Sequence, residues 1–198
     1  MKRLFDIFVS GILLIVLLPL FAALALLISL DGHPPYFLQT RIGYRGRQFK
    51  IWKFRSMIYK AEDRLEAILA DDAVKKETWL EKRKLENDPR ITLIGRFIRR
   101  HSFDELPQLF NVLRGDMSLV GPRPILPSEL ELWGENIHIY YECKPGITGL
   151  WQVSGRNALS YAKRIDLDIY YIKNRSLYFD LKILIKTIIE ILFPKSAH

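Results

Sequence analysis

Cysteine is nearly absent. The single Cys143 rules out a disulfide framework, and one cysteine with four histidines argues against a Cys/His zinc site. A lone cysteine also fits a reducing, cytoplasmic setting for most of the chain. Acid is in short supply as well: Asp+Glu 22 against Lys+Arg 30 leave a net charge of +8. Such a surplus points to an anionic partner, whether nucleic acid, anionic lipid or a phosphorylated small molecule. The basic residues are scattered among hydrophobic elements. No helix-turn-helix, zinc-finger or aromatic RNA-binding pattern accompanies them, which argues against nucleic acid. Internal repeats and low-complexity tracts are missing too. With 49% hydrophobic and 26% charged residues, wholesale disorder is excluded, and 198 residues allow one domain of ordinary size.

Charge itself is missing from Ile7 to Leu30, a run of 24 residues. One straight helix of that length would reach roughly 36 Å, enough for a hydrocarbon core of about 30 Å. The run is too long for a cleaved signal peptide, and its small residues Ala22, Ala23 and Ala25 are followed by more hydrocarbon. Pro19 removes a helical hydrogen bond near the middle and predicts a kink there. Both flanks are basic: Lys2 and Arg3 before, then Arg41, Arg45, Arg47, Lys50, Lys53 and Arg55 after. The positive-inside rule therefore favours both ends on the cytoplasmic face. A re-entrant helix–break–helix satisfies these signals; a single kinked bitopic helix is the alternative.

Beyond His33-Pro34-Pro35, strand-like residues around Gly43 and Gly46 predict a short β-hairpin. Helical spacing with a solvated face runs from Tyr59 to about Glu86, and a turn follows at Asn87-Asp88-Pro89. Ile91 to Arg100 is a basic amphipathic stretch. A short helix is expected near Leu106 to Leu113, a Gly/Pro-rich loop from Gly115 to Pro127, and a helix from Tyr161 to Ile172. In Asp180 to Phe193, Lys182, Lys186 and Glu190 fall on one face of a helix that is otherwise apolar. Both a buried core helix and an interfacial helix on the membrane fit that pattern.

Three stretches carry chemistry. In RRHSFDELPQLFNVL, Asp104 and Glu105 are adjacent carboxylates at a helix start. Ser102 and Glu105 have capping-box spacing, so a purely structural role is one reading. Pro107 favours Asp104 as the N-cap, because the proline then lies in the first turn. There the helix dipole and Arg96, Arg99, Arg100 and His101 should hold the carboxylate ionised and attract phosphate. The second stretch is Gly121-Pro122-Arg123-Pro124, where two prolines stiffen the backbone that presents a guanidinium suited to phosphate. The third is Gly149-Leu150-Trp151-Gln152-Val153-Ser154-Gly155-Arg156-Asn157. Trp151 suits stacking on a base or core packing, and Arg156 suits a phosphate or base edge.

Taken together these motifs resemble the bacterial sugar transferases, specifically the small monotopic phosphoglycosyl transferases. The likeness runs through the Pro-kinked N-terminus, FLQTRIGYRGRQFKIWKFRSM, NDPRITLIGRFIRRHSFDELPQLFNVLRGDMSLVGPRP, KPGITGLWQVSGRN and RIDLDIYYIKNRSLYFDLKILIKTI. The chain departs from the pattern at His33-Pro34-Pro35-Tyr36, where relatives have a Gly-Pro-Val-like sequence, and at Arg175, a place often aromatic.

The resemblance implies an enzyme that moves a sugar 1-phosphate from a UDP-sugar onto a polyprenol phosphate, releasing UMP. Asp104 would be the nucleophile on the β-phosphate, giving a phosphosugar–aspartyl intermediate. Glu105, with Asp104, would bind Mg²⁺. Arg123 and Arg99 would face phosphates, and Lys53 and Arg55 of the KFRSM motif would line the same site. The expected fold is α+β and mainly helical. A re-entrant membrane hairpin would occupy residues 1–32, a catalytic domain with a small β-hairpin residues 33–179, and an amphipathic interfacial helix residues 180–198. Partners would be the UDP-sugar, the polyprenol phosphate and the lipid bilayer, at the cytoplasmic face of the bacterial inner membrane. Nucleic acid is not expected, and a homo-oligomer is left open. A non-catalytic membrane scaffold, in which the two carboxylates only cap a helix, is the competing class.

Overall fold

The computed structural model describes residues 1–72, 76–77, 79, 85, 88–155 and 159–192. The apolar N-terminus forms two helices, α1 (Lys2–Val16) and α2 (Leu18–Ile28), whose axes turn by 62°. The break falls at Leu17, just ahead of the expected Pro19. Proline is accommodated in the first turn of α2, where a missing N–H breaks no bond. No single helix among the described residues is long and apolar enough to cross a membrane, whereas α1 and α2 together have the length and composition.

Both ends of this pair are tied to the rest of the protein. Lys2 Nζ donates to Asp180 at 2.5 Å and to the carbonyl of Val120 at 3.1 Å. Arg3 donates to the carbonyls of Val112 and Leu113. The buried Asp6 accepts from Ser118 Oγ at 2.8 Å and from the Leu119 amide at 3.2 Å. At the exit, Arg55 grips Asp31 with Nη1 and Nη2 at 2.7 and 2.6 Å, and donates to the carbonyls of Pro34 and Ile28.

The expected hairpin is present. Strands β1 (Tyr36–Ile42) and β2 (Gln48–Phe54) pair antiparallel from Tyr36↔Phe54 to Ile42↔Gln48. Helix α3 (Ala61–Asp71) follows, covering the start of the stretch read as helical to Glu86. Helix α4 (Leu93–Arg100) starts where Thr92 Oγ1 accepts from the Gly95 amide at 2.8 Å. Gly95 is obligatory there, since a Cβ would lie 1.8 Å from the carbonyl oxygen of Ser56. That close approach locks α4 against the chain leaving β2.

Helix α5 (Gln108–Arg114) ends at Gly115, in the left-handed region at φ +94°. Asn111 on α5 bonds β2 on both sides, accepting from the Trp52 amide at 3.0 Å and donating to Lys50 O at 2.8 Å. The expected Gly/Pro-rich loop contains a strand, β3 (Ser118–Val120), which pairs parallel with β4 (Gly146–Thr148). Gly121 and Gly146 permit this: a Cβ on Gly146 would meet the Gly121 amide at 2.1 Å. The short helix α6 (Ile137–Tyr140) precedes β4. Helix α7 (Tyr161–Asn174) is capped by Ser160, and α8 (Leu177–Leu192) closes the described chain.

One apolar cluster joins Ile51, Leu109, Val112, Met117, Tyr171 and Ile183, with Phe5 and Val9 of α1 packed on it. Cys143 belongs to this core, as expected. A second cluster unites Phe21, Leu24 and Ile28 of α2 with Phe54 and Ile98, and takes Phe103 and Leu106 against it. Full burial of each such side chain contributes about 1.5–3 kcal/mol. The second cluster thus holds both ends of the Asp104–Glu105 segment from below. Helix α8 buries Ile183 but exposes Tyr178, Leu181, Ile185, Ile188 and Ile189, so it is both a core helix and one with an uncovered apolar stripe.

Candidate active site

The carboxylate pair sits on a turn between two helices. After α4, Ser102 takes a left-handed backbone at φ 56°, and Phe103–Glu105 form one turn of 3₁₀ helix. Asp104 is therefore not the N-cap expected from the sequence. Pro107 occupies that place and α5 begins one residue later, which still leaves the proline where it breaks no helical bond. The apolar anchors Phe103 and Leu106 flank two half-buried acids.

Lys53 of β2 reaches across to Glu105, its Nζ 2.8 Å from Oε1. Arg99, on the last turn of α4, donates from Nε to Ser56 Oγ at 2.9 Å. Burial and then the charge of Glu105 push Asp104 up to about 6, with Lys53 and Arg99 opposing. Of the basic residues expected to hold Asp104 ionised, Arg99 acts on it, joined by Lys53, and both are outweighed because the turn is partly withdrawn from water and the neighbouring residue is itself an anion. Burial also works against a charged Glu105, yet Lys53, Arg123 and Arg41 more than reverse it and hold Glu105 below its ordinary value. The two adjacent acids are thus driven apart, one toward a more basic carboxylate and the other toward a more acidic one.

Arg123 donates from Nη1 to both oxygens of Glu129, at 3.2 and 3.0 Å, and its backbone amide donates to Asp168 Oδ2 at 3.3 Å. Arg123 lines a small cleft with Trp133, Trp151, Tyr161, Arg164 and Asp168. Trp151 is 7% exposed and is covered by the Arg164 guanidinium, 4.9 Å from its ring centre, so packing prevails over an open stacking face. Lys53 contacts Glu105, and the charges of Arg99 and Arg123 reach Asp104 and Glu105 respectively. Arg55 does not join them: Asp31 and backbone carbonyls occupy its guanidinium. Arg156 lies outside the described residues.

Sequence reasoning missed three neighbours. Arg41 lies buried with Nη1 3.8 Å from Glu129 Oε2, although its place in the FLQTRIGYRG motif was a usable signal. Asp168 lies in the RIDLDIYYIKN motif, which was likewise a usable signal, whereas Glu129 lies in a stretch with no motif to mark it.

A model describing bacterial sugar transferases matches residues 1–194. The chain belongs to the bacterial sugar transferase family. It is 50% identical, over its whole length, to a UDP-galactose-lipid carrier transferase of Erwinia amylovora, and 48% identical to an undecaprenyl-phosphate galactose phosphotransferase of Salmonella typhimurium. The chain spans 42% of the length of each of these relatives. The exopolysaccharide production protein ExoY of Rhizobium meliloti is 42% identical, and there the chain covers 88% of the relative.

Among the described residues of this bacterial sugar transferase, no three metal-ligating side chains converge. Two neighbouring carboxylates nevertheless fit Mg²⁺, a hard cation that takes one or two protein carboxylates and completes its shell with water and substrate phosphate.

Proposed function

We propose that this chain transfers a sugar 1-phosphate from a UDP-sugar to a membrane polyprenol phosphate, releasing UMP. The observation that carries the reading is the pair Asp104–Glu105, with Lys53 on the second acid and the charge of Arg99 acting on the first. A carboxylate whose proton affinity is raised to about 6 is a better nucleophile than an ordinary aspartate, yet it is ionised at cytosolic pH.

In the first step an Asp104 carboxylate oxygen bonds to the β-phosphorus. The bond from that phosphorus to the bridging oxygen breaks, and UMP leaves with the oxygen. In the second step the phosphate oxygen of the polyprenol phosphate attacks the same phosphorus. The bond to Asp104 breaks, giving a polyprenyl diphosphosugar and the free carboxylate. Lys53, Arg99 and Arg123 lower the electrostatic barrier to an anion attacking a diphosphate. Asp104 and Glu105 would hold Mg²⁺, which when bound supplies further charge neutralisation on the diphosphate.

The two-step route lets a soluble donor leave before a lipid acceptor arrives. Seating at the cytoplasmic face of the inner membrane is part of the proposal, with α1 and α2 entering the bilayer as a re-entrant hairpin. Support comes from Lys2, Arg3 and Asp6 at one end and Arg55–Asp31 at the other, which bond the pair to the same folded body. The exposed Ile12, Ile15, Val16 and Leu18 lie at the bend between them.

The test is UMP release from a panel of UDP-sugars by detergent-solubilised protein with Mg²⁺ and a polyprenol phosphate. Release by wild type and its loss in Asp104→Asn are expected, together with a sugar-phosphate mass adduct on Asp104 in protein denatured during turnover. An Asp104→Asn variant with substantial turnover would refute the mechanism.

A further inference from the structure

Arg123 is held in a way that bears on how it meets a ligand. Its guanidinium has one edge, Nε and Nη2, whose N–H bonds run parallel and suit two oxygens of a phosphate. Among the described residues, the side-chain hydrogen bonds of Arg123 all leave from the other nitrogen, Nη1, to Oε1 and Oε2 of Glu129. Glu129 is in turn fixed, because Oε2 accepts the Leu126 amide at 2.7 Å.

Behind Glu129 stands Arg41. Its Nη1 donates to the Pro124 carbonyl at 3.0 Å and lies 3.8 Å from Glu129 Oε2, while its Nη2 donates to Gln39 at 2.6 Å. Two cations thus share one anion, so the cluster keeps a net positive charge while the carboxylate stays ionised. Burial and the charge of Arg123 push Arg41 down to about 10, with Glu129 opposing, so it remains a cation at neutral pH.

We infer that Glu129 is a positioning residue for phosphate capture, pinning Arg123 by Nη1 so that its Nε/Nη2 edge faces a phosphate of the nucleoside diphosphate donor. The inference rests on the transferase reading above and adds to it the residue that aims the phosphate-binding arginine. A glutamine at the same position offers one oxygen to both Arg123 and the Leu126 amide, and turns an amide N–H₂ toward a cation.

The test is steady-state kinetics of UMP release with the UDP-sugar varied and the lipid phosphate saturating, in wild type, Glu129→Gln, Arg123→Lys and the double variant. Glu129→Gln is expected to raise KM for the UDP-sugar about tenfold, with kcat changed less than about threefold. Lysine has no fork to aim. In the Arg123→Lys background the second substitution should therefore shift KM by less than about twofold, whereas a merely structural Glu129 would add its full loss again. If Glu129→Gln fails to fold, Glu129→Asp keeps the charge, falls one methylene short of Nη1 and carries the same cycle. An unchanged KM, additive losses, or a lowered KM, which would make Glu129 a competitor of the phosphate, overturns the inference. Absence of UMP release from every UDP-sugar by wild type would instead remove the transferase reading, and this inference with it.

Discussion

Lys53 Nζ lies 2.8 Å from Glu105 Oε1, and this contact does most, ahead of Arg123 and Arg41, to hold Glu105 below its ordinary value. It keeps Glu105 charged, and the charge of Glu105 in turn helps raise Asp104. Replacing Lys53 with methionine keeps most of its bulk and removes the cation. Glu105 should then titrate higher, and turnover should drop about 10²-fold or more, the usual loss when one electrostatic partner of a reacting phosphate goes. Initial rates of UMP release check this, and a loss under about threefold would show that Lys53 has only a packing role.

The raised proton affinity of Asp104 fixes the pH profile. Attack requires the ionised carboxylate, so kcat/KM for the UDP-sugar should rise with pH through about 6 and then level off. Stability runs the other way. Between the ordinary aspartate value of 3.8 and about 6 the folded protein holds a proton that the unfolded chain has released, so stability falls as pH rises across that window. Asp104→Asn should therefore melt a few degrees higher than wild type above this window, with the gap closing in acid. A pH-independent gap would contradict the assignment.

Gly95 has no room for a methyl group. Its Cβ would stand 1.8 Å from the Ser56 carbonyl oxygen, which is backbone and has no flexible end to swing away. Gly95→Ala should destabilise the protein by about 2–3 kcal/mol. It should also weaken turnover by moving Arg99 away from its Ser56 partner. Denaturation in detergent and UMP release, measured on the same preparation, check both parts.

Arg55 and Asp31 clamp the exit of the helix pair. Arg55→Lys retains the charge but loses the two-pronged grip on Asp31 and the bonds to the Ile28 and Pro34 carbonyls. A loss of about 2–3 kcal/mol is expected, read as a lowered melting temperature. KM for the UDP-sugar should change far less than in Lys53→Met. A large KM effect without destabilisation would return Arg55 to the site where the sequence motif had placed it.

The KFRSM motif shows what a sequence carries and what it withholds. Alternation along a strand puts Lys53 and Arg55 on one face, but β2 ends at Phe54, so Arg55 turns to Asp31 while Lys53 alone meets Glu105. The break in the apolar run, the hairpin and the amphipathic α4 were legible because periodicity and proline act locally. The β3–β4 pairing was not, since strands of three residues leave no period to detect. Asp104 and Glu105 stood out as neighbours in a basic setting. Glu129 did not, because its meaning lies in an arginine brought to it by the folding of the Pro-Arg-Pro loop.

Val120 directly precedes that loop, and its carbonyl accepts from Lys2 at the start of α1; Lys2 also donates to Asp180, which accepts the Tyr171 hydroxyl at 2.6 Å. The first turn of α1 is therefore fastened to the strand from which Arg123 is hung. A tilt of α1 would therefore pull first on the strand that leads into Arg123. With the hairpin seated as proposed, acyl-chain length and bilayer thickness would be expected to bear on turnover through the Lys2–Val120 bond.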